Sequence, residues 1–367
     1  MKKSNKTILH IDLNAFYASC SIIKDPYLKN RVFVVGSPSG YTSGGVITTA
    51  SYKARKYGIK SGMNVSDAFK RYNKLLVVPT DFNLYRRKSE LFIDFLKNYS
   101  DLLEQASIDE AYLDITELVK NKDPYLVAKE IQTRLYQEEN LPSSIGIAPT
   151  LFLAKMASDL KKPMGITIIN YDNIDEKILP LSVSEIFGIG IKTYPSLISE
   201  NIHTIKDFVN LNNLNVITKY LKLNTYYEFR DNIFGFGSNK IDINRYQIPK
   251  SISSETTFNY DVSGAEIVLN EIKAQFEDCY HRLNRHEMLT KTVGFKLKLT
   301  NFQTVTRSFT LPNYTNDKVL IIDTIESLFL EYYNDEEVRL IGATLGNLIL
   351  KKEHKLPFNL FTYKDHL

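Results

Sequence analysis

Two short apolar runs that each lead to an acid constrain this chain more than any other feature of its sequence. Residues 7–11 read as a buried strand that stops at Asp12. Residues 102–116 read as a β-hairpin whose bend, 107–110, carries Asp109 and Glu110. If both runs belong to one sheet, the acids meet at one edge, where clustered carboxylates suit hard divalent cations. Neighbouring residues of a regular strand point to opposite faces, so Asp109 and Glu110 share a site only where the bend distorts the pleat. By spacing alone, the three acids suit a nuclease, a nucleotidyl transferase or an ordinary turn.

Around these runs strands and helices alternate. Residues 15–23 begin a helix, 32–35 form a strand, and 51–57 form a helix stopped by Gly58. Residues 81–99 have the helical period, with Leu84, Leu91, Phe92, Phe95 and Leu96 on one face and Asp81 as the cap. Helices over 124–138 and 150–161 are followed by strands at 144–148 and 165–170, the second helix ending at Lys162-Pro163. The pattern predicts an α/β sheet domain with an insertion after its first strand. Small helices then surround Phe187-Gly188-Ile189-Gly190, and 235–251 reads as a connector. Val293, Phe295, Leu297 and Leu299 alternate with polar residues, and helices over 267–283 and 318–332 can cover that apolar face, predicting a second α+β domain.

A chain of 367 residues exceeds what one core serves, in keeping with this division. No apolar run approaches the roughly 18–20 residues that span a bilayer. The basic start leads directly into a strand without the apolar core of a signal peptide, so a cytoplasmic protein is expected. Cys20 and Cys279 stand far apart and outside any CxxC pattern, and the histidines are dispersed, which argues against a zinc site and a disulfide framework. The net charge of +4 is mild, but its distribution is uneven. In the insertion, Lys24, Lys29, Arg31, Lys53, Arg55, Lys56, Lys60, Lys70, Arg71 and Lys74 are opposed only by Asp25 and Asp67. Later, Arg282, Arg285, Lys291, Lys296, Lys298 and Arg307 face Glu287 alone. Two basic regions on one chain suggest a polyanion held from two sides.

His10-Ile11-Asp12-Leu13-Asn14-Ala15-Phe16-Tyr17-Ala18-Ser19 and Ala106-Ser107-Ile108-Asp109-Glu110-Ala111-Tyr112-Leu113-Asp114 resemble the two signature motifs of the Y-family DNA polymerases. Thr48-Thr49-Ala50-Ser51-Tyr52-Lys53-Ala54-Arg55 and Leu153-Ala154-Lys155-Met156-Ala157-Ser158-Asp159 extend the likeness in the family's order. The resemblance continues through Gly188-Ile189-Gly190 and the basic strand near 291–300, covering nearly the whole chain. It implies an α+β right-hand architecture: a ferredoxin-like palm (1–15 and 75–165), small fingers (16–74), a helical thumb with a helix-hairpin-helix (166–236), a linker (237–249) and an α+β little finger (250–350). The implied activity is template-directed, low-fidelity translesion synthesis without proofreading, by a monomer acting on primer-template DNA and dNTPs.

The resemblance also implies roles for residues. Asp12, Asp109 and Glu110, with the Leu13 carbonyl, would hold two Mg²⁺, for which Mn²⁺ can substitute. Phe16 and Tyr17 would meet the incoming nucleotide, Tyr17 at the steric gate under the sugar. Thr49, Tyr52, Arg55 and Lys162 match residues that hold the triphosphate. Gly188, Gly190 and Lys192 fall in the hairpin of the helix-hairpin-helix, where backbone N–H groups approach a phosphate. Lys296, Lys298 and Arg307 would follow the DNA backbone without reading bases. A nuclease would use the same acids but leaves Tyr17 and the phosphate cluster without a role. A non-catalytic repair scaffold is expected to have lost one acid, and none is lost. The chain departs from the family at Asn14, where an acid is often found, at Cys20-Ser21, and at Pro149-Thr150-Leu151-Phe152. The tail, 351–367, carries Leu356-Pro357-Phe358-Asn359-Leu360-Phe361, a partial match to the sliding-clamp-binding motif of bacterial polymerases. Phe358, Leu360 and Phe361 would be its apolar anchors.

Overall fold

The structure, a computed structural model, describes residues 3–37, 45–245 and 249–353. It forms two compact units, Met1–Tyr246 and Gln247–Leu367. In chain order the first unit contains β1 (Ile8–Leu13), α1 (Phe16–Lys24), β2 (Phe33–Gly36), β3 (Ile47–Ala50), α2 (Tyr52–Arg55), α3 (Val65–Arg71) and β4 (Leu76–Val78). There follow α4 (Phe82–Lys97), β5 (Leu103–Gln105), β6 (Glu110–Asp114), α5 (Pro124–Glu139), β7 (Ser143–Ala148), α6 (Leu151–Asp159) and β8 (Ile166–Ile168).

The larger sheet has the order β5-β6-β1-β7-β8. β1, α4, β5, β6, α5 and β7 supply its ferredoxin-like βαββαβ part, and β8 is added parallel to β7 after the α6 crossover. Every residue of β1 is buried, because both faces of its sheet are covered. Leu9, Ile11 and Leu13 pack with Phe16 of α1, Phe92 of α4 and Ile131 of α5. Ile8 packs on the other side against Phe152, Leu153 and Met156 of α6. The two-residue period therefore sends His10 and Asp12 to the α6 face.

The insertion forms its own three-stranded sheet, β3-β2-β4, over a core of Val34, Ile47, Ala54, Val65 and Leu75. Its limits differ from those expected. β4 pairs parallel with β2, so the small sheet extends to Val78, while α1 contributes Phe16, Ala18 and Cys20 to the core of the larger one. α2 is also shorter than expected: Ser51 caps it through Ala54 N–H, and Gly58 at φ 73 ends the turn that follows. Asp81 caps α4 as predicted, accepting from Leu84 N–H. Its inward face differs, however. Tyr85, Ser89, Phe92 and Leu96 follow the i, i+4, i+7, i+11 stripe, and Leu91, off that stripe, is 43% exposed.

Between residues 170 and 234 short helices bury Ile178, Leu197, Phe208 and Tyr226 in the core that α6 shares. The connector that follows lacks periodicity but is anchored. Gly235 O accepts from the Tyr171 hydroxyl at 3.1 Å, and buried Glu104 accepts from Asp242 N–H at 2.8 Å and from Arg245 at 2.6 Å.

The second unit comprises β9 (Ser251–Val262), α7 (Ala265–Arg285), β10 (Met288–Leu299), β11 (Thr304–Thr315), α8 (Lys318–Tyr332), β12 (Val338–Gly346) and β13 (Ile349–Leu350). The four long strands lie in the order β11-β10-β12-β9. Val293, Phe295 and Leu297 of β10 pack against Phe276 of α7 and Phe329 of α8, as the alternation predicted.

Candidate active site

Antiparallel pairing of β1 with β6 sets Asp12 directly opposite Glu110. Both carboxylates face α6, because each is an even step along its strand from a residue that packs there: Ile8 and Tyr112. Asp109 precedes β6 and lies in the bend, so the pleat that would separate it from Glu110 has not begun. Its main-chain oxygen accepts from Leu13 N–H at 3.0 Å, tying the bend to the end of β1. Its carboxylate accepts from the Ser107 hydroxyl at 2.7 Å.

α6 brings the counter-charge. Lys155 Nζ lies 3.2 Å from Asp12 Oδ2, 2.6 Å from Glu110 Oε1 and 3.4 Å from Asp159. Lys162, just past the helix, reaches Asp12 Oδ2 at 2.5 Å and Asp159 Oδ1 at 2.7 Å. The helix approaches this closely because β7 carries Gly146 beneath it. A Cβ there would stand 2.0 Å from Ala154 O and 2.5 Å from Ser158 N. Sequence reasoning gave Lys155, Asp159, His10 and Ser158 no role. The spacing of Lys155, Asp159 and Lys162, one helical turn apart, was the available signal.

The electrostatics follow from crowding three acids at a half-closed edge. Burial pushes Glu110 up to about 7, reinforced by Asp12 and opposed by Lys155. Burial also raises Asp109, with the charge of Asp12 adding to it. Asp12 is instead held below its usual range: burial opposes this, but Glu110, Lys162 and Lys155 together outweigh it. His10 is fully buried and its pKa is lowered well below the ordinary value by burial and then by Lys155, so it is neutral. The Ser158 hydroxyl donates to Lys155 O at 2.8 Å, which makes His10 Nδ1 the donor to Ser158 Oγ, also at 2.8 Å. His10 Nε2 then faces Glu110 Oε2 at 3.9 Å without a proton.

Among the described residues, no three acid, imidazole or thiol side chains stand close enough as they lie to hold an ion. Asp12 and Glu110 converge, while Asp109 is turned to Ser107. The donor set nonetheless fits a hard divalent cation: carboxylate oxygens that ionise reluctantly together, currently neutralised by two ammonium groups.

The other expected residues divide. Phe16 is buried in the core, so its ring faces no open site, since β1 hands directly into α1 there. Tyr17 is half-buried and stacks on Tyr85, centroids 4.2 Å apart and planes 20° apart, with the edge of Phe82 at 6.0 Å. Thr49 is half-exposed on β3. The Arg55 guanidinium lies over the Tyr52 ring at 4.7 Å and bonds Ala50 O. The Tyr52 hydroxyl has no hydrogen-bond partner among the described residues, and the charges of Arg55 and Lys162 act on it. The Tyr52 hydroxyl is thus an unused polar group that feels both cations.

Gly188 adopts φ 97 against the Phe229 ring, a position only glycine takes freely, whereas Gly190 has open space and an ordinary φ. Lys192 is exposed. On the second unit Lys296 is less free than its strand position suggested: it bonds both oxygens of Glu255 at 2.9 Å. The reason is geometric. Gly342 lies between Lys296 and Glu255 in the sheet, and with no side chain there the two meet across it. Lys298 lies over the Phe302 ring and Arg307 over the Tyr332 ring. Phe358, Leu360 and Phe361 lie outside the described residues.

The sequence profile of the impB/mucB/samB family matches residues 11–159, and that of its C-terminal domain matches residues 249–358. DNA polymerase IV 1 of Bacillus subtilis (strain 168) is 35% identical over 366 residues, covering 100% of this chain and 87% of that protein. DNA polymerase IV of Clostridioides difficile (strain 630) is 36% identical over 369 residues, covering 100% of this chain and 99% of that one. Among solved structures, a Y-family DNA polymerase chimera of Dbh and Dpo4 superposes with a TM-score of 0.83 at 24% identity, covering 94% of this chain and all of the other. An insertion ternary complex of Dbh DNA polymerase superposes with a TM-score of 0.68, also at 24% identity and covering 94% of this chain.

Proposed function

This chain belongs to the Y-family DNA polymerases, through the impB/mucB/samB family, and is a DNA-directed DNA polymerase of the translesion type; on that premise we propose that Asp12, Asp109 and Glu110 form its two-metal catalytic centre. The observation that carries this is the register that sets Asp12 against Glu110, with Asp109 held in the bend beside them. Two Mg²⁺, or Mn²⁺ in their place, would activate the primer 3′-hydroxyl and neutralise the triphosphate when bound.

The chain's own residues do the rest. Asp12 and Glu110 supply carboxylate oxygens from two paired strands, and Asp109 joins them by leaving Ser107, with the Leu13 carbonyl at the strand end. Lys155 stays beneath the acids, buried and fixed by three of them. Lys162 comes from a turn and can exchange Asp12 for a triphosphate oxygen. Tyr52 offers its unused hydroxyl and Arg55 its guanidinium to the same triphosphate, with Thr49 alongside. Tyr17, held by Tyr85, forms the wall under the sugar. Gly188, Gly190 and Lys192, together with Lys296, Lys298 and Arg307, meet the primer-template backbone. The enzyme works as a cytoplasmic monomer without proofreading, is error-prone, and is tethered by its C-terminal motif to a sliding clamp.

Primer extension tests the centre. Asp109→Ala should remove about 3 kcal/mol or more of transition-state stabilisation. DNA binding should persist, since the acid is not part of the basic surfaces. Near-normal extension by Asp109→Ala overturns the assignment.

A further inference from the structure

Lys162 is carried by a turn that two buried amides hold from opposite sides. Met164 N–H donates to Asn14 Oδ1 at 2.8 Å, and Met164 O accepts from Gln132 Nε2 at 3.1 Å. Asn14 and Gln132 are each 1% exposed. Met164 has φ 61, a conformation that a residue other than glycine keeps only where its surroundings hold it. Both amides are tied in turn to adjacent residues of β7. Asn14 Nδ2 donates to Ser144 Oγ at 2.9 Å, and Gln132 Nε2 donates to Ser143 O at 2.9 Å. The turn is therefore fixed to the rigid centre of the sheet, two residues along from Asp12 on one side and two along from Lys162 on the other.

We propose that Asn14 and Gln132 are positioning residues that hold the Lys162–Met164 turn, so that the Lys162 ammonium stands between Asp12 and the incoming triphosphate. The lysine side chain is long, and each buried fixed point at its root narrows the volume its ammonium explores. The chemistry of the two amides differs. Asn14 must accept from Met164, and an aspartate can do the same while the Ser144 hydroxyl turns to donate to it. Gln132 acts through two N–H donors on one nitrogen, which a glutamate lacks. This inference rests on the reading of Lys162 as a triphosphate ligand.

The test measures dNTP dissociation from the complex of the full chain with Mg²⁺ and a dideoxy-terminated primer-template, alongside DNA affinity and melting temperature. Lys162→Ala and Gln132→Glu should each weaken nucleotide binding about tenfold, the scale of one lost charged contact. Asn14→Leu should do likewise, and Asn14→Asp should stay within about threefold of the parent, DNA affinity being unchanged throughout. In the double variants Asn14→Leu/Lys162→Ala and Gln132→Glu/Lys162→Ala, nucleotide binding should be no weaker than with Lys162→Ala alone, because the amides act only through the lysine. Asn14→Asp and Gln132→Glu nearly preserve core volume, so their opposite outcomes decide the matter even if Asn14→Leu does not fold. Equal effects of those two changes, or additive losses in the double variants, overturn the proposal. Unaltered nucleotide affinity in Lys162→Ala overturns the reading of Lys162 itself, and the proposal with it.

Discussion

The parity of one strand sets the chemistry of the site. A one-residue slip of β1 would turn Asp12 to the face of Leu9, Ile11 and Leu13 and leave Glu110 of β6 without its partner on the α6 face. The pleat does not itself force the neighbouring acids apart, because Glu110 starts β6 and Asp109 lies in the bend before it, where its carboxylate is turned to Ser107. Stacking on Tyr85 holds the Tyr17 ring in place, as the proposed wall under the sugar requires. Tyr17→Ala should raise ribonucleotide insertion at least about tenfold, the scale of a single steric contact in a pocket. Competition between ribo- and deoxynucleotides on one template measures this; an unchanged ratio makes Tyr17 a packing residue. The two cysteines give a second prediction. Both are buried and free, and burial pushes Cys20 up to about 12 and Cys279 up to about 11. Neither thiol should react with iodoacetamide at pH 8 unless the chain is unfolded. Since the folded chain keeps these protons where the unfolded chain releases them, the contribution is level below pH 9. It is lost as pH rises through 11 for Cys279 and 12 for Cys20. Stability measured by denaturant between pH 8 and 11 should fall; a flat or rising profile contradicts the sign.

Among the elements, α6 matters most, and its sequence says only part of why. Leu153, Ala154, Met156 and Ala157 announce an apolar face, and Thr150 caps the helix through Leu153 N–H, so its existence and position were legible. That its other residues bring Lys155 under two strand acids was not, because it depends on how closely the helix lies on β7. Gly146 sets that distance, and a glycine in a strand gives no hint of which helix will use the space. Gly146→Ala should destabilise the first unit by about 1–3 kcal/mol through overpacking against backbone atoms that cannot yield. It should also lower extension by moving Lys155 and Lys162 together. Thermal melting and primer extension on the same variant check both; parent-like values in each would show that α6 does not depend on the glycine. The inward face of α4 shows the converse limit. Leu91 looked like a core residue by type, but the stripe passes through Tyr85 and Ser89, a polar pair that hydrophobicity alone places outside. Gln105 Nε2 reaches the Ser89 hydroxyl at 3.3 Å, a partner no local pattern reveals.

At the scale of the molecule, charge is where the linear reading and the folded chain differ most. The basic runs were legible, yet several of their members are engaged: Lys24 with Asp81, Lys70 with Asp67, Lys296 with Glu255. Exposed pairs of this kind hold weakly and yield to a better anion, so the surface remains suited to DNA. For a polymerase that leaves its primer often, an apolar motif that docks on a ring around the DNA would raise the effective concentration at the primer end without any new contact at the active site. Leu360 and Phe361, outside the described residues, are the proposed anchors of such a motif. The host's sliding clamp should therefore lengthen the products of extension, and Leu360→Ala with Phe361→Ala should abolish that gain while clamp-free activity stays as in the parent. Two apolar anchors lost from a pocket cost about 2 kcal/mol or more, enough to empty a weak docking site at cellular concentrations. The readout is product length on a primed template with and without loaded clamp. If the double variant is stimulated as fully as the parent, the tail is not the tether.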